Sequence, residues 1–244
     1  MKISLICVFN NKIQLEEQLK PSIEKQIGNI ETIFLDCNTF RFKSAAEALN
    51  YGANISSGDV LVFSHQDIII KEFDGLLKFG EAIYNAEIGD IVGTQGVREK
   101  SKIYYSNLTA GKEYNKQYIN DFEEKMIEVS CVDEGLFGMK KETWISHKFD
   151  EMLCDNWHLY AVESALFART KGHRVWVYPI QMHHFSYGKI SLQYMIGLKR
   201  LCYHYRNNFK YIWTTCYKVR TSGIYINCLF VIWIINRKIR GKKL

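Results

Sequence analysis

Proline is scarce in this sequence of 244 residues, and closely spaced cysteine pairs are absent. The two prolines, Pro21 and Pro179, argue against a long disordered linker, because semi-rigid linkers are rich in proline. The seven cysteines stand singly, without a Cys-x-x-Cys pair, which argues against a zinc site and a disulfide framework. We therefore expect an ordered protein with reduced thiols.

Long hydrophobic runs are also missing. Residues 1–8 become polar too soon for the apolar core of a secretory signal, so we expect a cytoplasmic protein. Residues 224–235 form a twelve-residue run with one polar side chain, Asn227. A membrane-spanning helix needs about 20 apolar residues, so this run is too short to cross a bilayer.

Acidic residues are absent from the last third of the chain. Residues 1–163 contain 17 Lys and Arg and 26 Asp and Glu, whereas residues 164–244 contain 15 Lys and Arg and no acid. An asymmetry of this size indicates a polyanionic neighbour for the C-terminal part. Nucleic acid, anionic lipid and diphosphate groups all satisfy this condition.

The first hundred residues alternate between apolar strand patterns and helix patterns. We predict strands at 2–9, 31–36, 60–63 and 90–94, with helices at 12–27, 44–55 and 74–86 between them. This alternation predicts a parallel, doubly wound α/β layer. Residues 95–130 are more polar and favour an irregular binding segment. A further helix is predicted from 157 to 170, with Asp155 and Asn156 as its cap.

Polar side chains follow the predicted strands where each one ends. Phe9 and Asn10 close the first strand, Asp36 closes the second, and His65 and Asp67 follow the third. Open α/β sheets bind ligands at the carboxyl ends of their strands. We therefore expect a ligand site at this edge of the sheet.

The order and spacing of several motifs resemble GT-A glycosyltransferases of the family 2 type, in particular the glycosyltransferase-like branch of bacterial capsule and surface-polysaccharide clusters. The resemblance covers about residues 2–190. The motifs are Val8-Phe9-Asn10, Phe34-Leu35-Asp36, Ala48-Leu-Asn50-Tyr-Gly52, Ser57-Gly58-Asp59, Phe63-Ser-His-Gln-Asp67, Val132-Asp133-Glu134-Gly135, Phe149-Asp150-Glu151, Trp157-His-Leu-Tyr-Ala-Val-Glu163 and His183-His184. The resemblance implies a Rossmann-like, doubly wound mixed sheet flanked by helices, followed here by a basic, aromatic helical extension.

The same resemblance implies an inverting transferase that uses a nucleotide-sugar donor and Mn²⁺ or Mg²⁺. His65 and Asp67 stand at the two acid positions of the family's Asp-x-Asp motif. Asp67 is the expected metal ligand, because hard cations prefer carboxylate oxygen. His65 is either a ligand or a support for one. Of His183 and His184, at most one is expected to bind the metal, because adjacent side chains on an extended segment point in opposite directions.

The resemblance also implies residues that contact the donor and the acceptor and a residue that acts as general base. The donor is expected to contact Phe9, Asn10, Asp36 and Asn50, together with His65 and Asp67. In many relatives the general base lies two positions before the acid that matches Glu163, and that position is Ala161 here. Asp155, His158 and Glu163 are the nearby alternatives for the base. The acceptor is expected to contact Asp133, Glu134 and Trp157.

These expectations define two regions. Residues 1–189 are predicted to form the transferase domain, and residues 190–244 a basic helical region that contacts anionic lipid on the inner face of the cytoplasmic membrane, near a lipid-linked or oligosaccharide acceptor. Packing of the tail on the domain is the alternative. Two other functions remain open: a non-catalytic GT-A binding module, and nucleic-acid binding through the C-terminal aromatics. The latter is not favoured, because Leu, Ile and Val interleave those aromatics.

Overall fold

The computed structural model describes residues 1–99, 104–111, 116–119, 126–186 and 190–240. Its strands are β1 (Ile3–Phe9), β2 (Ile30–Asp36), β3 (Val60–Ser64), β4 (Ile68–Ile70), β5 (Ile91–Gly93), β6 (Gln95–Val97), β7 (Tyr104–Ala110), β8 (Lys116–Ile119), β9 (Ile127–Glu128), β10 (Cys131–Val132), β11 (Leu136–Lys140), β12 (Val175–Val177), β13 (Met182–His184), β14 (Tyr211–Trp213) and β15 (Lys218–Arg220). The helices are α1 (Lys12–Gln14), which continues through a π-helical turn (Leu15–Leu19) into α2 (Lys20–Ile23), then α3 (Cys37–Phe40), α4 (Ala45–Ile55), α5 (Gly75–Asn85), α6 (Lys141–Ser146), α7 (Tyr160–Thr170), α8 (Leu192–His204) and α9 (Gly223–Ile239).

A seven-stranded mixed sheet forms the centre, in the order β2-β1-β3-β11-β5-β12-β9. β1 pairs in parallel with β2 and β3, whereas β11 runs antiparallel to both β3 and β5. All five residues of β3 are buried, as the continuous apolar run predicts for a strand covered on both faces. The predicted α/β fold with a mixed sheet is therefore confirmed.

A second sheet covers the carboxyl end of β3. Its order is β10-β6-β7-β13-β4, and β8 pairs with β7. β13 runs antiparallel to β4, with His184 opposite Ile68. The prediction of an irregular segment between 95 and 130 is wrong for the strands described within that range. β6 and β8 pair with β7, their neighbour in the chain, whereas β13, the other partner of β7, comes much later in the sequence.

An aromatic cluster joins β3 and β11 to the start of α7. Phe63 contacts Phe137 and Phe149, with ring centroids 5.2 and 4.9 Å apart. Tyr160, the first residue of α7, packs against Phe137 and Phe149 at 5.9 and 6.1 Å. Edge-to-face and tilted ring pairs of this kind hold each ring in a defined orientation. The cluster therefore fixes the direction in which the Tyr160 hydroxyl points.

The C-terminal elements pack on α7 rather than standing apart. Leu159, Val162 and Leu166 share a buried apolar cluster with α8, β14, β15 and Ile226 of α9. The predicted division after residue 189 falls next to residues 187–189, which lie outside the described part of the chain. Among the described helices, none has the length and apolar character needed to cross a bilayer.

Candidate functional site

The carboxyl ends of β1, β2 and β3 are tied together by amide side chains. Gln66 accepts hydrogen bonds from the backbone N–H groups of Asn10 and Asn11, both at 3.0 Å, and donates to Asn10 Oδ1 at 2.9 Å. Asn38, which follows β2, donates to the carbonyl of Asn10 at 3.2 Å. The strand ends that the sequence marks as polar thus meet at one edge of the sheet.

Two histidines and one aspartate gather beside this edge. Nε2 of His184 lies 3.2 Å from Asp67 Oδ1 and 3.5 Å from Nδ1 of His65. One ligand atom from each residue lies within 4.8 Å of the others. The local fold produces this arrangement, because β13 pairs with β4 and the Phe185 N–H donates to the carbonyl of Asp67 at 3.0 Å.

Burial and mutual charge shape the protonation of this cluster. Burial opposes ionisation of Asp67, but its hydrogen bond and ion pair with His184 lower the pKa of the carboxyl well below its usual range. Burial also opposes a charged His184, yet the Asp67 carboxylate raises the pKa of that imidazole on balance. Burial, followed by the neighbouring His184, lowers the pKa of His65 to about 4. His65 is therefore neutral at pH 7, as a metal ligand must be.

The spacing of these atoms fits a divalent cation. Two ligands at right angles on an ion, each about 2.1 Å from it, lie about 3 Å apart. The separations of 3.2 and 3.5 Å come close to that value, and all three ligand atoms lie within 4.8 Å of one another. Two imidazole nitrogens and one carboxylate oxygen are groups that divalent cations bind in proteins.

His183 turns away from this cluster. Its Nδ1 lies 2.9 Å from Thr109 Oγ1, and its ring packs at right angles against Phe185 with centroids 4.5 Å apart. His184 is the member of the pair that the structure brings to Asp67 and His65, because neighbouring residues of β13 face opposite sides of the sheet.

We call His65, Asp67 and His184 the cation cluster, because they are the candidate ligands of a cation. A cleft of about 590 Å³ opens beside this cluster. Its walls come from the central sheet, the second sheet, the start of α7 and the C-terminal elements. They include His65, His184, Ser186, Asp133, Glu134, Trp157, His158, Tyr194, Thr214, Thr215 and Cys216. The predicted acceptor residues Asp133, Glu134 and Trp157 thus line the same cleft as two of the candidate ligands.

Asp133 and Glu134 occupy different environments although they are adjacent. Asp133 Oδ1 accepts the Gly135 N–H at 3.0 Å, and its Oδ2 accepts the hydroxyl of Thr215 at 2.7 Å. Glu134 is partly exposed as a residue, yet its Oε1 is buried without a hydrogen-bond partner. Burial, with a smaller contribution from Asp133, raises the pKa of Glu134 well above its ordinary value. The charged form of Glu134 is therefore disfavoured at this wall of the cleft.

The structure separates the three residues predicted as general-base candidates. His158 lines the cleft, with its Nε2 3.3 Å from Ser191 Oγ. Asp155 lies on the surface and pairs with Arg200 at 2.6 Å. Glu163 is buried at 1% exposure and accepts the Tyr205 hydroxyl at 2.7 Å.

The observed start of α7, which differs from the predicted one, explains part of this separation. α7 begins at Tyr160 rather than Trp157, and Leu159 before it has a left-handed backbone with φ of 71°. Asp155 therefore does not cap α7, and Asp155 and His158 both precede the helix. Ala161 is fully buried, in agreement with an apolar side chain at that position.

The residues predicted to contact the donor differ in how many of their side-chain groups are left to bind a ligand. Asp36 accepts the Asn38 N–H at 2.9 Å and the Thr39 hydroxyl at 3.3 Å, which leaves lone pairs for a ligand. Phe9 is largely buried, at 9% exposure.

The side-chain amide of Asn50 forms hydrogen bonds with other parts of the fold. Its Nδ2 donates to Phe149 O and Glu151, and its Oδ1 accepts from Trp144 and the Phe149 N–H. This network occupies the amide of Asn50 within the fold, and its contact with the donor stays a prediction.

Several residues at the site have no role assigned from the sequence. Ser186 Oγ lies 3.2 Å from His184 Nε2, and Tyr194 shares a 2.9 Å hydrogen bond with Thr214 at the wall of the cleft. Tyr160 contacts His65 from outside the cleft lining. Ser186 carries a usable signal because it lies two residues beyond His184, and Tyr160 because it stands within the motif 157–163. Tyr194 and Thr214 reach the cleft through tertiary packing.

The comparison with known families decides which group of proteins this site belongs to. A family model described as "Glycosyltransferase like family" matches residues 7–210. The chain belongs to this family. The predicted family resemblance is therefore confirmed. No curated protein matches the sequence at a significant level.

Solved structures with the same architecture are GT-A glycosyltransferases. The structure of GalNAc-T7 with UDP, GalNAc and Mn²⁺ has a TM-score of 0.57 at 10% identity, covering 85% of this chain and 51% of that one. The mannosyltransferase PcManGT from Pyrobaculum calidifontis, with GDP-Man and Mn²⁺, has 0.54 at 15%, covering 84% and 63%. S. aureus TarS 1–349 with UDP-GlcNAc has 0.54 at 14%, covering 83% and 66%. The chain thus spans about half to two thirds of their lengths, and the likeness shows the GT-A fold.

Proposed function

We propose that this chain is a metal-dependent, inverting glycosyltransferase that moves a sugar from a nucleotide-sugar donor to a lipid-linked or oligosaccharide acceptor in bacterial surface-polysaccharide synthesis. The observation that carries the proposal is the cluster of His65, Asp67 and His184 at the mouth of a 590 Å³ cleft. That volume lies within the roughly 300–1,000 Å³ typical of small-molecule sites. The family membership and the ligands named for the similar structures support it.

The donor is proposed to lie along the carboxyl ends of β1, β2 and β3. Asn10 and Asp36 face its nucleoside, and the diphosphate lies beside His65, Asp67 and His184. A cation held by these three residues would neutralise the charge that builds on the departing diphosphate. Their nitrogen-rich ligand set leads us to propose Mn²⁺ rather than Mg²⁺.

His158 is proposed as the general base. In an inverting transfer the acceptor oxygen forms a bond to the anomeric carbon while the bond from that carbon to the diphosphate oxygen breaks. The diphosphate leaves with the electron pair, and the acceptor proton passes to the base. Burial lowers the pKa of His158, so its imidazole is neutral at pH 7 and free to take that proton.

The acceptor is proposed to bind against Asp133, Glu134 and Trp157. Asp133 can accept hydrogen bonds from sugar hydroxyls. Trp157 is 42% exposed at the cleft, where its ring offers an apolar face. Nucleic-acid binding through the C-terminal aromatics finds little support, because Tyr205 and Trp213 are buried at 3% and 6% exposure.

Thermal denaturation with nucleotides tests the function. We expect UDP or GDP to stabilise the protein in the presence of Mn²⁺ and not in EDTA, by about 2.7 kcal/mol at a concentration 100 times its Kd. A panel of UDP- and GDP-sugars, followed for donor hydrolysis, would then identify the sugar. Stabilisation by nucleic acid, or by no nucleotide with Mn²⁺, would contradict the proposal.

The exposed side of α9 is proposed to contact the membrane. Of its seventeen residues only Ile226 is buried, whereas Ile224, Val231, Ile232, Ile235 and Ile239 are 49–81% exposed. The helix ends on basic residues, Arg237, Lys238 and Arg240. An apolar stripe with cations beside it suits the interface of an anionic bilayer, where each cation contributes about 1 kcal/mol.

Liposome co-sedimentation tests this contact. We expect the full chain to pellet with anionic vesicles, more weakly at high salt, and a chain ending at Ser222 to stay in solution. The double variant Ile232→Gln and Ile235→Gln should bind less, because it removes apolar area that packing does not use. Ile145→Gln is the matched control, since Ile145 is 61% exposed on α6. Equal pelleting of all variants, or binding indifferent to lipid charge, would favour packing of the tail on the domain.

A further inference from the structure

The hydroxyl of Tyr160 contacts His65 on the side of the ring away from the cation cluster. Tyr160 Oη lies 3.2 Å from Nε2 of His65, while Nδ1 of the same ring lies 3.5 Å from His184 Nε2. The two ring nitrogens of His65 therefore face different partners. In a neutral imidazole one nitrogen carries the proton and the other keeps a lone pair, so the partners decide which nitrogen can bind a metal.

Packing fixes the position of this hydroxyl. Tyr160 is 6% exposed, and its ring is held by Phe137 and Phe149, the latter at an interplanar angle of 86°. The hydroxyl is neutral at pH 7, because the ordinary pKa of a tyrosine phenol is about 10. A rigid, neutral hydroxyl can accept an N–H without carrying charge into the site.

We propose that Tyr160 is a positioning residue of the cation site, whose Oη accepts the Nε2–H of His65 and so directs the Nδ1 lone pair towards the cation. The inference rests on the cation site of the proposed function and adds to it the residue that makes His65 a ligand. Metal-binding histidines usually donate their second ring N–H to such a partner, which fixes both tautomer and orientation. The reverse hydrogen bond would place a proton on Nδ1, facing His184, and would remove His65 from the site.

The site needs a defined tautomer because position 65 is a histidine. A carboxylate at this position could bind a cation through either oxygen and would need no tautomer. An imidazole has one usable lone pair, and a wrong tautomer points a proton at the ion. This chain therefore depends on a contact 95 residues away along the sequence.

Mn²⁺ titration of Tyr160→Phe, followed by electron paramagnetic resonance with and without UDP or GDP, tests the proposal. We expect Mn²⁺ affinity to fall by about 10–100-fold, the usual effect of losing such a partner. Tyr205→Phe is the matched control, because Tyr205 is 3% exposed and donates its hydroxyl to Glu163 at 2.7 Å, away from the cleft. Mn²⁺ affinity should be unchanged in the control. Equal affinity in wild type and Tyr160→Phe, or equal loss in both variants, would overturn the proposal.

The tautomer can be read without any variant or metal. In ¹⁵N-histidine-labelled wild-type protein in EDTA, the His65 resonances should show a protonated Nε2 and an unprotonated Nδ1. A protonated Nδ1 would overturn the proposal even if Tyr160→Phe failed to fold. Wild-type protein that shows the expected tautomer but binds no Mn²⁺, with or without nucleotide, would instead contradict the cation site of the proposed function.

Discussion

Asp67→Asn is expected to abolish sugar transfer and the Mn²⁺-dependent binding of a nucleoside diphosphate. Asp67 contributes the carboxylate of the cluster, and an amide oxygen in its place carries no charge to hold the cation against water. A bound cation stabilises the charge of the transition state by several kcal/mol, so we expect transfer to fall by about 10³-fold or more. Isothermal titration of UDP or GDP in Mn²⁺ and a donor-turnover assay measure the two effects.

The fold should survive this substitution. Asn has nearly the same shape as Asp, and its loss of charge removes the main cause that raises the pKa of His184, so burial favours the neutral imidazole and only Asp133 still opposes it. The expected loss of stability is about 1–3 kcal/mol, from one buried hydrogen bond to a charged group. Asp74→Asn is the matched control, because it removes a carboxylate that pairs with Lys78 at 3.2 Å, at the start of α5. Full activity of Asp67→Asn, or of wild-type protein in EDTA, would rule out the cation site.

Local sequence predicts one half of this site well. A buried apolar strand that ends on Ser64-His65-Gln66-Asp67 has few structural reasons to carry those side chains, and the structure places His65 and Asp67 together. Gln66 between them turns to the other side, where its amide binds Asn10. Gln66 and Asp67 form a turn between β3 and β4, so their neighbouring side chains face different partners.

The other half of the site depends on contacts that no local pattern contains. His184 reaches Asp67 because β13 pairs with β4, and Tyr160 reaches His65 because an aromatic cluster orients the start of α7. The polar strands of the second sheet lack the long apolar run that marks β3. The pairing of β13 with β4 and β7 therefore depends on the whole fold, and the sequence around residues 95–130 favours an irregular segment instead of strands.

The motif at residues 155–163 predicts a helix in this region, but it does not predict where the acidic side chains of Asp155 and Glu163 lie. Asp155 and Asn156 form a good capping pattern, yet the helix begins after them, at Tyr160. Asp155 then pairs with Arg200, and Glu163 faces Tyr205 on the buried side of α7. Helix start and rotation depend on tertiary packing, including the left-handed Leu159, and neither follows from spacing alone.

His158→Ala is expected to reduce turnover by about 10²–10⁴-fold, the usual cost of losing a positioned general base. The imidazole lines the cleft beside Ser191 and packs edge-on against Tyr194, with ring centroids 5.6 Å apart. Binding of the donor nucleotide with Mn²⁺ should be unchanged, because His158 is not one of the clustered ligand residues. Steady-state kinetics on the donor identified by the hydrolysis screen, together with nucleotide titration, separate the two effects.

The pH dependence of kcat/KM gives this assignment a second readout. A general base acts in its deprotonated form, and burial lowers the pKa of His158 from the ordinary 6.5, so wild-type activity should persist below pH 6.5 and fall at lower pH. That acidic limb should disappear in His158→Ala. Asp155→Asn and Glu163→Gln are the comparison variants, since Asp155 forms a surface ion pair of small energetic value and Glu163 is bonded to Tyr205 within the fold. Less than a tenfold fall in His158→Ala, or a larger fall in either comparison variant, would move the role of base away from His158, because a group that takes the acceptor proton must face the cleft in which the acceptor binds.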